Sequence, residues 1–475
     1  MTTLKDLIHH IGILHEQGKT KEAITLLRAV YDNDTNSAAR KRISFILAQL
    51  YYDQKEYMLG MQFLEVDLAA NMHREKYLVL AACLYNHSQC YDKAGPLIDD
   101  ALRRYPANTM LLGQRGRLLR KQGKYHEAIT VYEQGLALDP NLVPFWVNIC
   151  DCYKALDDKQ KAVVTARKAV AQCADSVETW QCLAYCLFRC DIMFEALDAI
   201  NKTLSVKPDS AYALGLRACI RLSVGELDKS YADFTRSLAL QEDEKLRGTF
   251  SYLLLMRGEF AKAWPLYERR WQTGQYRQAL LDWRIPKWQG ESLEGKRLIL
   301  QVEQGIGDQI FFASMVDQLH KFGAREIGVS VDQRLESLIA RSTKHVHVIP
   351  GAYGIEAHVA ERDQYDFHFP LASIPGMLGV FTKTRSAPSM PYLQIATNRK
   401  QYFRDLLSER AGHDLLIGVS WRSFANVLNP KSRSIALENW RDIAAIDGIS
   451  LVNLQYGDVE DEIANTHDVP LITID

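Results

Sequence analysis

The stretch GKYHEA, residues 123–128, is one of eight copies of a short signature that recurs through the first half of the chain. Each copy closes on a small residue, and these residues are Ala23, Gly60, Ala94, Ala128, Ala162, Ala196, Ser230 and Ala263. The successive intervals are 37, then 34 five times, then 33 residues. A fixed period of about 34 residues is typical of stacked helix–turn–helix units. The sequence therefore predicts an α-helical solenoid of about eight repeats over residues 1–275.

Other features of each copy agree with this interpretation. A small residue is expected where the two helices of a hairpin cross closely, because a larger side chain would push them apart. Turn residues precede most copies, namely Gly18, Asp92, Gly123, Asp157, Asp191, Gly225 and Gly258. Prolines at 106, 140 and 208 are predicted to end second helices. The period is that of tetratricopeptide repeats, which present an extended concave surface, so we expect a protein or peptide ligand in that groove.

Composition narrows the class of protein. The 57 Lys and Arg balance 58 Asp and Glu, giving a formal net charge of −1, so bulk charge gives no support for nucleic-acid binding. No apolar run approaches the roughly 20 residues that span a bilayer. The N-terminus has charges inside its apolar stretch and merges into the first repeat, so we predict no signal peptide. These features indicate a cytoplasmic protein with no transmembrane segment.

All nine cysteines lie in the repeats, in an odd number and with no C-x-x-C motif, which indicates a reducing setting. Cys182, Cys186 and Cys190 follow an i, i+4, i+8 pattern and are predicted to share one helix face. A metal site there needs further ligands, and none are in register. The favoured interpretation is therefore buried small apolar side chains and no metal.

The repeat rhythm ends near Trp264 and gives way to a connector rich in Trp. Residues 296–302 (KRLILQV) have the pattern of a buried parallel strand, followed by a glycine loop at 303–308 and a helix over 309–322. This is the opening βα unit of a doubly wound domain. Further strands are predicted at three places, residues 326–331, 345–349 and 366–370. We assign residues 276–412 to the connector and this α/β domain.

A second strand–loop–helix start follows. Residues 414–420 read as a buried strand, 438–446 as a helix and 449–454 as the next strand, with a basic loop after the first. Residues 413–475 are therefore predicted to begin another α/β domain. They leave room for two or three βα units, about half of a Rossmann-like domain, so we expect this domain to be incomplete.

Two loops carry candidate site residues. Gly305 and Gly307 would let a ligand approach the backbone closely, and amides at the start of the next helix can bind an anion. Asp308 would lie at the carboxyl edge of the sheet, either as a general base or as the N-cap of the helix. The loop is neither a dinucleotide fingerprint nor a P-loop.

The second candidate loop is basic. Arg422, Lys431 and Arg433 follow a buried strand, where arginine could bind a diphosphate through paired donors. The alternative is an exposed, solvated loop. These residues would neutralise a leaving group without a metal.

Three segments carry a family resemblance. They are W-x-G-x(4)-G-K-R-L-I-L-x-x-E-Q-G-I-G-D-Q-I-F-F, DFHFPLASIPGML, and IGVSWRS…KSRSIALENW…LVNLQYGD. They resemble bacterial tetratricopeptide proteins with a GT-B glycosyltransferase domain, which are similar in turn to the ADP-heptose:lipopolysaccharide heptosyltransferases. The resemblance implies a TPR solenoid followed by two α/β GT-B-like (Rossmann-like) domains, the second incomplete. It also implies sugar transfer from a nucleotide-sugar donor to a protein or glycan acceptor, with no cofactor.

The resemblance assigns roles to individual residues. Asp308 matches the catalytic base, and Arg422, Lys431 and Arg433 match the loop that contacts the donor diphosphate. The loop residues Glu303, Gln304, Gly305 and Gly307 would lie on the acceptor side. The sequence departs from the family because it ends before the expected acid–histidine turn and nucleotide-base pocket. The alternative function is a non-catalytic TPR scaffold for protein–protein interaction with a degenerate glycosyltransferase domain.

Overall fold

The computed structural model describes residues 4–33, 37–272, 285–350, 364–379, 391–412, 415–422 and 434–474. The chain divides into two compact units, Met1–Pro208 (unit 1) and Asp209–Asp475 (unit 2). Unit 1 is helical over its described residues. Its helices are α1 Leu4–Glu16, α2 Thr20–Asn33, α3 Ser37–Asp53, α4 Tyr57–Asn71, α5 Glu75–His87, α6 Tyr91–Arg104, α7 Thr109–Lys121, α8 Tyr125–Leu138, α9 Val143–Ala155, α10 Lys159–Gln172, α11 Val177–Arg189 and α12 Met193–Val206.

The helices pack as successive antiparallel hairpins, α1 with α2, α3 with α4 and so on, each hairpin contacting the next. The small residue of each copy is buried where the hairpin helices meet, as predicted. At Gly60 the reason is steric: a Cβ atom there would lie 2.8 Å from Leu84 Cδ2 and 3.0 Å from the Ala48 carbonyl oxygen. The repeats of unit 1 are therefore held together by close helix contact.

One left-handed residue forms the turn of every hairpin, always five positions before the small residue. These residues are Gly18, Lys55, Gln89, Gly123, Asp157, Asp191, Gly225 and Gly258, with φ between 54° and 80°. The prediction of Asp92 as a turn residue was wrong, because Asp92 lies in the first turn of α6 and Gln89 takes the left-handed position. The predicted proline stops are confirmed, since α6, α8 and α12 end two residues before Pro106, Pro140 and Pro208.

Unit 2 begins with two more hairpins and continues into α/β structure. Its helical part contains α13 Ala211–Ser223, α14 Leu227–Leu240, α15 Glu244–Met256, α16 Phe260–Tyr267 and a 3₁₀ turn Glu268–Gln272. The α/β part contains β1 Arg297–Gln301, α17 Ile306–Ala313, β2 Glu326–Val331, α18 Glu336–Ser342, β3 Val346–Pro350, β4 Phe367–Pro370, α19 Ile374–Leu378, α20 Thr397–Ala411, β5 Leu415–Val419, α21 Arg441–Ala444, β6 Ile449–Asn453, α22 Glu460–Ala464 and β7 Leu471–Ile472.

The strands form two small parallel sheets, in the orders β3-β2-β1-β4 and β5-β6-β7. In the first sheet, Leu298 of β1 pairs with Ile327 of β2 on one side and Phe367 of β4 on the other. The carboxyl ends of β1 and β4 are therefore neighbours. The strand predictions agree with these bounds to within one or two residues. The prediction that the strand at 414–420 is buried was wrong, because Leu415 and Leu416 of β5 are exposed.

Two predicted helices differ from the structure. Residues 309–322 do not form one helix: α17 starts earlier, at Ile306, and a 3₁₀ turn, Val316–Phe322, replaces the second half. The Ser314 hydroxyl donates to the Phe311 carbonyl at 2.6 Å, a local bond that competes with a continuous helix. Residues 438–446 likewise form a 3₁₀ turn, Leu437–Trp440, followed by the single-turn α21.

The last helical hairpin shares a core with the first sheet. Trp264 and Tyr267 of α16 belong to the same buried cluster as Leu298, Leu300 and Phe369 of the strands. Trp288 of the connector is fully buried in this cluster, and Trp271 is buried nearby, whereas Trp283 lies outside the described residues. This shared core brings the end of the repeats to the carboxyl edge of β1 and β4.

Candidate functional site

The loop after β1 meets a charged side chain from the end of the repeats. Arg270, in the 3₁₀ turn after α16, donates from Nη2 to Glu303 Oε1 at 2.8 Å and to Ser373 Oγ at 2.8 Å. Its Nη1 donates to Glu268 Oε1 at 2.9 Å. The side chains of Arg270 and Glu303 are only 9% and 5% exposed. Glu303 therefore serves as a buried partner of Arg270 at the sheet edge.

Burial and charge act in opposite directions on this pair. Burial raises the pKa of Glu303 to about 7, although the nearby Arg270 guanidinium favours its ionised form. Burial also disfavours ionisation of Glu268, but Arg270, Ser373 and Lys287 together hold the pKa of that carboxyl below its usual value. Arg270 thus faces one carboxylate that stays ionised and a second that titrates near neutrality.

The rest of the loop is held by hydrogen bonds. The Gln304 side chain bonds to the Tyr267 hydroxyl, and the Gln304 carbonyl accepts from the Gln309 side-chain amide at 3.0 Å. Gln309 is buried, and its Oε1 accepts from the Asp332 backbone N–H at 2.9 Å. This residue, which the sequence analysis missed, fastens the first loop to the end of β2.

Gly305 and Gly307 do not have left-handed backbones. Gly305 is the N-cap of α17 with extended φ and ψ, and a Cβ at Gly307 would meet nothing within 4 Å. The backbone conformation therefore does not require glycine at Gly305, and packing does not require it at Gly307. What glycine provides here is an uncovered backbone at the start of α17, where amide groups are available to an anion.

Asp308 lies in the first turn of α17 and is exposed. The interpretation of Asp308 as the N-cap was wrong, because Gly305 holds that position. Its carboxylate is favourably placed near the positive end of the helix. The role of general base stays a prediction.

Arg422 lies where predicted, just past the carboxyl end of β5, but its guanidinium is engaged. Nη1 pairs with Glu462 Oε2 at 3.1 Å, and Nη2 donates to the Asp458 carbonyl at 3.2 Å. The Gln455 side-chain oxygen accepts the backbone N–H groups of Trp421 and Arg422, both at 2.9 Å. A diphosphate would have to compete with Glu462 for Arg422.

Lys431 and Arg433 lie outside the described residues. Asp308 and Arg422 belong to different sheets, the first to the four-stranded sheet and the second to the three-stranded one.

Unit 1 contains a cavity of 410 Å³ between α7 and α9, the first helices of successive hairpins. We call it the groove site. It is lined by Thr109, Met110, Gly113, Gln114, Arg117, Arg120, Leu142, Pro144, Phe145 and Asn148. Apolar walls with a few polar and cationic groups are suited to an extended peptide.

Positive charge dominates the surroundings of the groove site. Arg120 pairs with Asp151 at 3.1 Å and also bonds to the side chain of Asn148, and Lys154 contacts the same Asp151 at 2.5 Å. Arg117 is exposed and lies 2.5 Å, Nη1 to Nε2, from His87. In this described stretch, Arg120 and Lys154 share the carboxylate of Asp151, whereas Arg117 contacts the His87 ring.

The surroundings of His87 favour the neutral form of its imidazole. Burial, and then the charge of Arg117, lower its pKa below the usual value. The ring also packs on Tyr57, with centroids 4.3 Å apart. A negative group bound beside Arg117 would reverse the effect of that charge.

No groove residue was predicted from the sequence, although the repeat period contains the signal. Gln114 and Asn148 are 34 residues apart, as are Arg117 and Asp151, and each pair occupies equivalent positions on α7 and α9. Polar residues that recur at the repeat period on first helices indicate the groove, whereas apolar ones there indicate the core.

Comparison with known proteins agrees with the helical part. The model of the TPR repeat family matches residues 116–157, a segment that includes most of the groove site. The hairpins of the structure agree with this match, so the helical part of the chain is a solenoid of TPR-like repeats. In the described residues, no helix is long and apolar enough to cross a membrane.

Protein FlbA of Caulobacter vibrioides is 26% identical over 385 residues, which cover 77% of this chain and 63% of FlbA. That share of the chain exceeds the helical repeats, so the similarity extends into the α/β part. Anaphase-promoting complex subunit 7 of Mus musculus is 24% identical over 42% of this chain and 35% of that protein. The chain thus spans less than two thirds of the length of these relatives.

Among solved structures, a tetratricopeptide repeat protein from Parabacteroides merdae covers 53% of this chain and 98% of its own, at 16% identity and a TM-score of 0.44.

Proposed function

We propose that the repeats bind a protein partner, and that an acidic, extended segment of the partner lies in the groove site. The observation that carries this proposal is the excess of cations at that cavity: Arg117 and Arg120 line it, and Arg120 shares the carboxylate of Asp151 with Lys154. A carboxylate of the partner could accept paired donors from an arginine, a geometry that lysine does not offer. The apolar wall at Phe145 and Met110 would contact the partner's side chains.

Fluorescence anisotropy with length-matched acidic, neutral and basic peptides tests this function. We expect the acidic peptides to bind most tightly, with affinity that falls as salt is added, because exposed charges are screened. Arg117→Ala should weaken this binding, whereas Arg103→Ala, an exposed residue that pairs with Asp100 on α6, should leave it unchanged. Equal binding of the three peptide classes would contradict the proposal.

A second function is proposed for the α/β part, namely sugar transfer from a nucleotide-sugar donor to an acceptor that the repeats recruit. Its support is the strand–loop–helix start at β1, with an exposed Asp308 at the N-terminal turn of α17. In this proposal the two sheets are the beginnings of GT-B-like domains.

The proposed chemistry uses the chain's own residues. The Asp308 carboxylate would take the proton of the attacking acceptor hydroxyl, and Arg422 would neutralise the departing diphosphate. Arg422 would have to exchange Glu462 for the diphosphate, since the two are paired at 3.1 Å. Glu303 is excluded from the role of base toward an acceptor, because its carboxylate is buried against Arg270.

Turnover of a panel of nucleotide sugars, measured as nucleotide release with and without an acceptor protein, tests this second function. Asp308→Asn should lower turnover while leaving donor binding intact. Asp405→Asn changes an exposed carboxylate on α20 and is the matched control. Turnover that is unaffected by Asp308→Asn would remove Asp308 from the mechanism.

A further inference from the structure

Three cysteine thiols converge between two repeats of unit 1. Cys150 comes from α9, and Cys182 and Cys186 come from α11. Their Sγ atoms all lie within 4.8 Å of one another. Cys150 and Cys186 are buried, and Cys182 is half-buried.

The repeat period explains why these thiols meet. One 34-residue period after Cys150 is Ala184, which lies midway between Cys182 and Cys186 on α11. Because equivalent positions on successive first helices are neighbours, Cys150 faces the gap between two residues one helical turn apart. The interpretation from the sequence compared residues along one helix only and therefore missed the third thiol from the neighbouring repeat.

We propose that Cys150, Cys182 and Cys186 form a binding site for a thiophilic metal ion with a filled d shell, Zn²⁺ or Cu⁺. Metal–sulfur bonds of about 2.3 Å at tetrahedral angles place sulfur atoms about 3.8 Å apart. This separation is compatible with the three Sγ atoms, which all lie within 4.8 Å of one another. Thiolates are the ligands that such soft ions prefer. Three sulfurs complete a trigonal site for Cu⁺ and leave one position for water on Zn²⁺.

The charges around the three thiols and a cavity that leads to them are both compatible with a bound metal ion. Each thiol loses its proton on binding, so three thiolates and Zn²⁺ leave one net negative charge and release three protons. A cavity of 140 Å³ reaches Cys186 and is lined by three cations, Lys154, Lys159 and Arg189, and one carboxylate, Asp157, so that its net positive charge offsets the charge of the site. This cavity gives the ion a path from solvent to the buried thiols.

A bound ion would link the hairpin of α9 and α10 to the hairpin of α11 and α12. It would therefore raise the thermal stability of the repeats. Simple packing of three small buried side chains predicts no such gain. Added metal should therefore raise the melting temperature if the thiols form a metal site, and leave it unchanged if they only pack in the core.

The first experiment uses the unmodified full chain. Reduced protein is titrated with Zn²⁺ against a chromogenic chelator, and separately with Cu⁺ under anaerobic conditions. Cysteine alkylation is then mapped by mass spectrometry. We expect one equivalent of one ion to bind and to protect Cys150, Cys182 and Cys186 together while raising the melting temperature. The same labelling of these three cysteines with and without either ion would overturn the proposal.

Variants locate the site. Cys182→Ser changes the most accessible ligand and should weaken binding of the preferred ion by at least about tenfold, since even substitutions outside the ligand shell cost that much. Cys152→Ala, a buried cysteine on the same helix as Cys150 but outside the cluster, is the matched control and should bind as the unmodified chain does. Equal affinity of the Cys182→Ser protein would also overturn the proposal.

Discussion

Arg270 and Glu303 form a buried ion pair that joins the end of the helical repeats to the first loop of the parallel sheet. The two residues are 33 positions apart, and their atoms Nη2 and Oε1 are separated by 2.8 Å. Around them, Arg270 lies over the rings of Tyr267 and Trp271, 4.2 Å and 4.7 Å from the centroids. The loop that the sequence marks as a candidate site is therefore also a structural joint.

Removing one partner of this pair should lower the unfolding free energy substantially. In Arg270→Met the Glu303 carboxyl stays buried without its cation, and we expect a loss of about 3–5 kcal/mol in unfolding free energy. Urea unfolding followed by Trp fluorescence reports on this region, because Trp264, Trp271 and Trp288 are buried there.

The matched control is Arg236→Met. Arg236 pairs with Asp209 in the same unit, but the two side chains are 51% and 73% exposed. Such surface pairs contribute less than about 1 kcal/mol. Similar losses of unfolding free energy in the two variants would show that the Arg270–Glu303 pair does not stabilise the contact between the repeats and the sheet.

Gly60 should not tolerate alanine. A Cβ atom would lie 2.8 Å from Leu84 Cδ2, so Gly60→Ala should destabilise unit 1 by about 1–3 kcal/mol through overpacking. Gly12→Ala is the control: Gly12 lies inside α1 with nothing within 4 Å of its Cβ position, and alanine there should stabilise the helix by about 0.5–1 kcal/mol. Thermal unfolding by circular dichroism measures both, and equal shifts would contradict the steric argument.

His368 should make unit 2 sensitive to acid. Burial, assisted by the charge of Lys287, lowers the pKa of this imidazole to about 4. Between pH 6.5 and 4 the unfolded chain binds a proton that the folded chain does not, so stability falls as pH falls through that window. The loss approaches about 3 kcal/mol at its acid end.

Comparison of denaturation midpoints for the unmodified chain and His368→Asn from pH 7.5 to 4.5 isolates this effect. Glu303 acts in the opposite direction, because its raised pKa lets the folded chain hold a proton up to about pH 7. Since both proteins contain Glu303, its contribution cancels in the difference. If the denaturation midpoints of the two proteins change with pH in the same way, His368 does not titrate as expected.

Binding of an acidic peptide should strengthen at lower pH through His87. In the free chain, burial and Arg117 lower the pKa of His87. A ligand carboxylate beside them would raise it, so affinity should rise as pH falls, by up to about tenfold for each unit by which the pKa rises. Dissociation constants from pH 8 to 5.5 check this, and His87→Gln should flatten the curve. A rise of the same size in the variant would exclude His87.

The sequence predicts the repeats well because one local rule fixes them. A left-handed residue followed five positions later by a small buried residue defines each hairpin. The small residue is visible in every copy, but the turn residue is visible only where it is Gly or Asp, so Lys55 and Gln89 were missed. The positions of the strands were also found, because a short apolar run predicts a strand. The burial of β5 was not, since its Leu415 and Leu416 are exposed. The single helix predicted over residues 309–322 failed because a serine side chain at 314 bonds to the backbone and a 3₁₀ turn follows.

The candidate sites were harder to predict, because they depend on contacts between distant residues. The pairing of Arg270 with Glu303 and of Arg422 with Glu462 occurs across 33 and 40 residues, and no local pattern marks either pair. The groove site and the cysteine cluster arise from neighbouring repeats. Both could be found by superposing the sequence on itself at a shift of 34 residues.

The most direct test of the proposed function is a reversal of charge in the groove site. Arg117→Glu should switch the preference of the repeats, weakening the acidic peptide and strengthening the length-matched basic peptide, because like charges at a contact oppose binding. Arg103→Glu makes the same change in net charge away from the cavity and should preserve the original preference. Anisotropy titrations measure the affinity of both variants for the acidic and the basic peptide. We predict that Arg117→Glu alone binds the basic peptide more tightly than the acidic one. An Arg117→Glu protein that still prefers the acidic peptide would contradict the account.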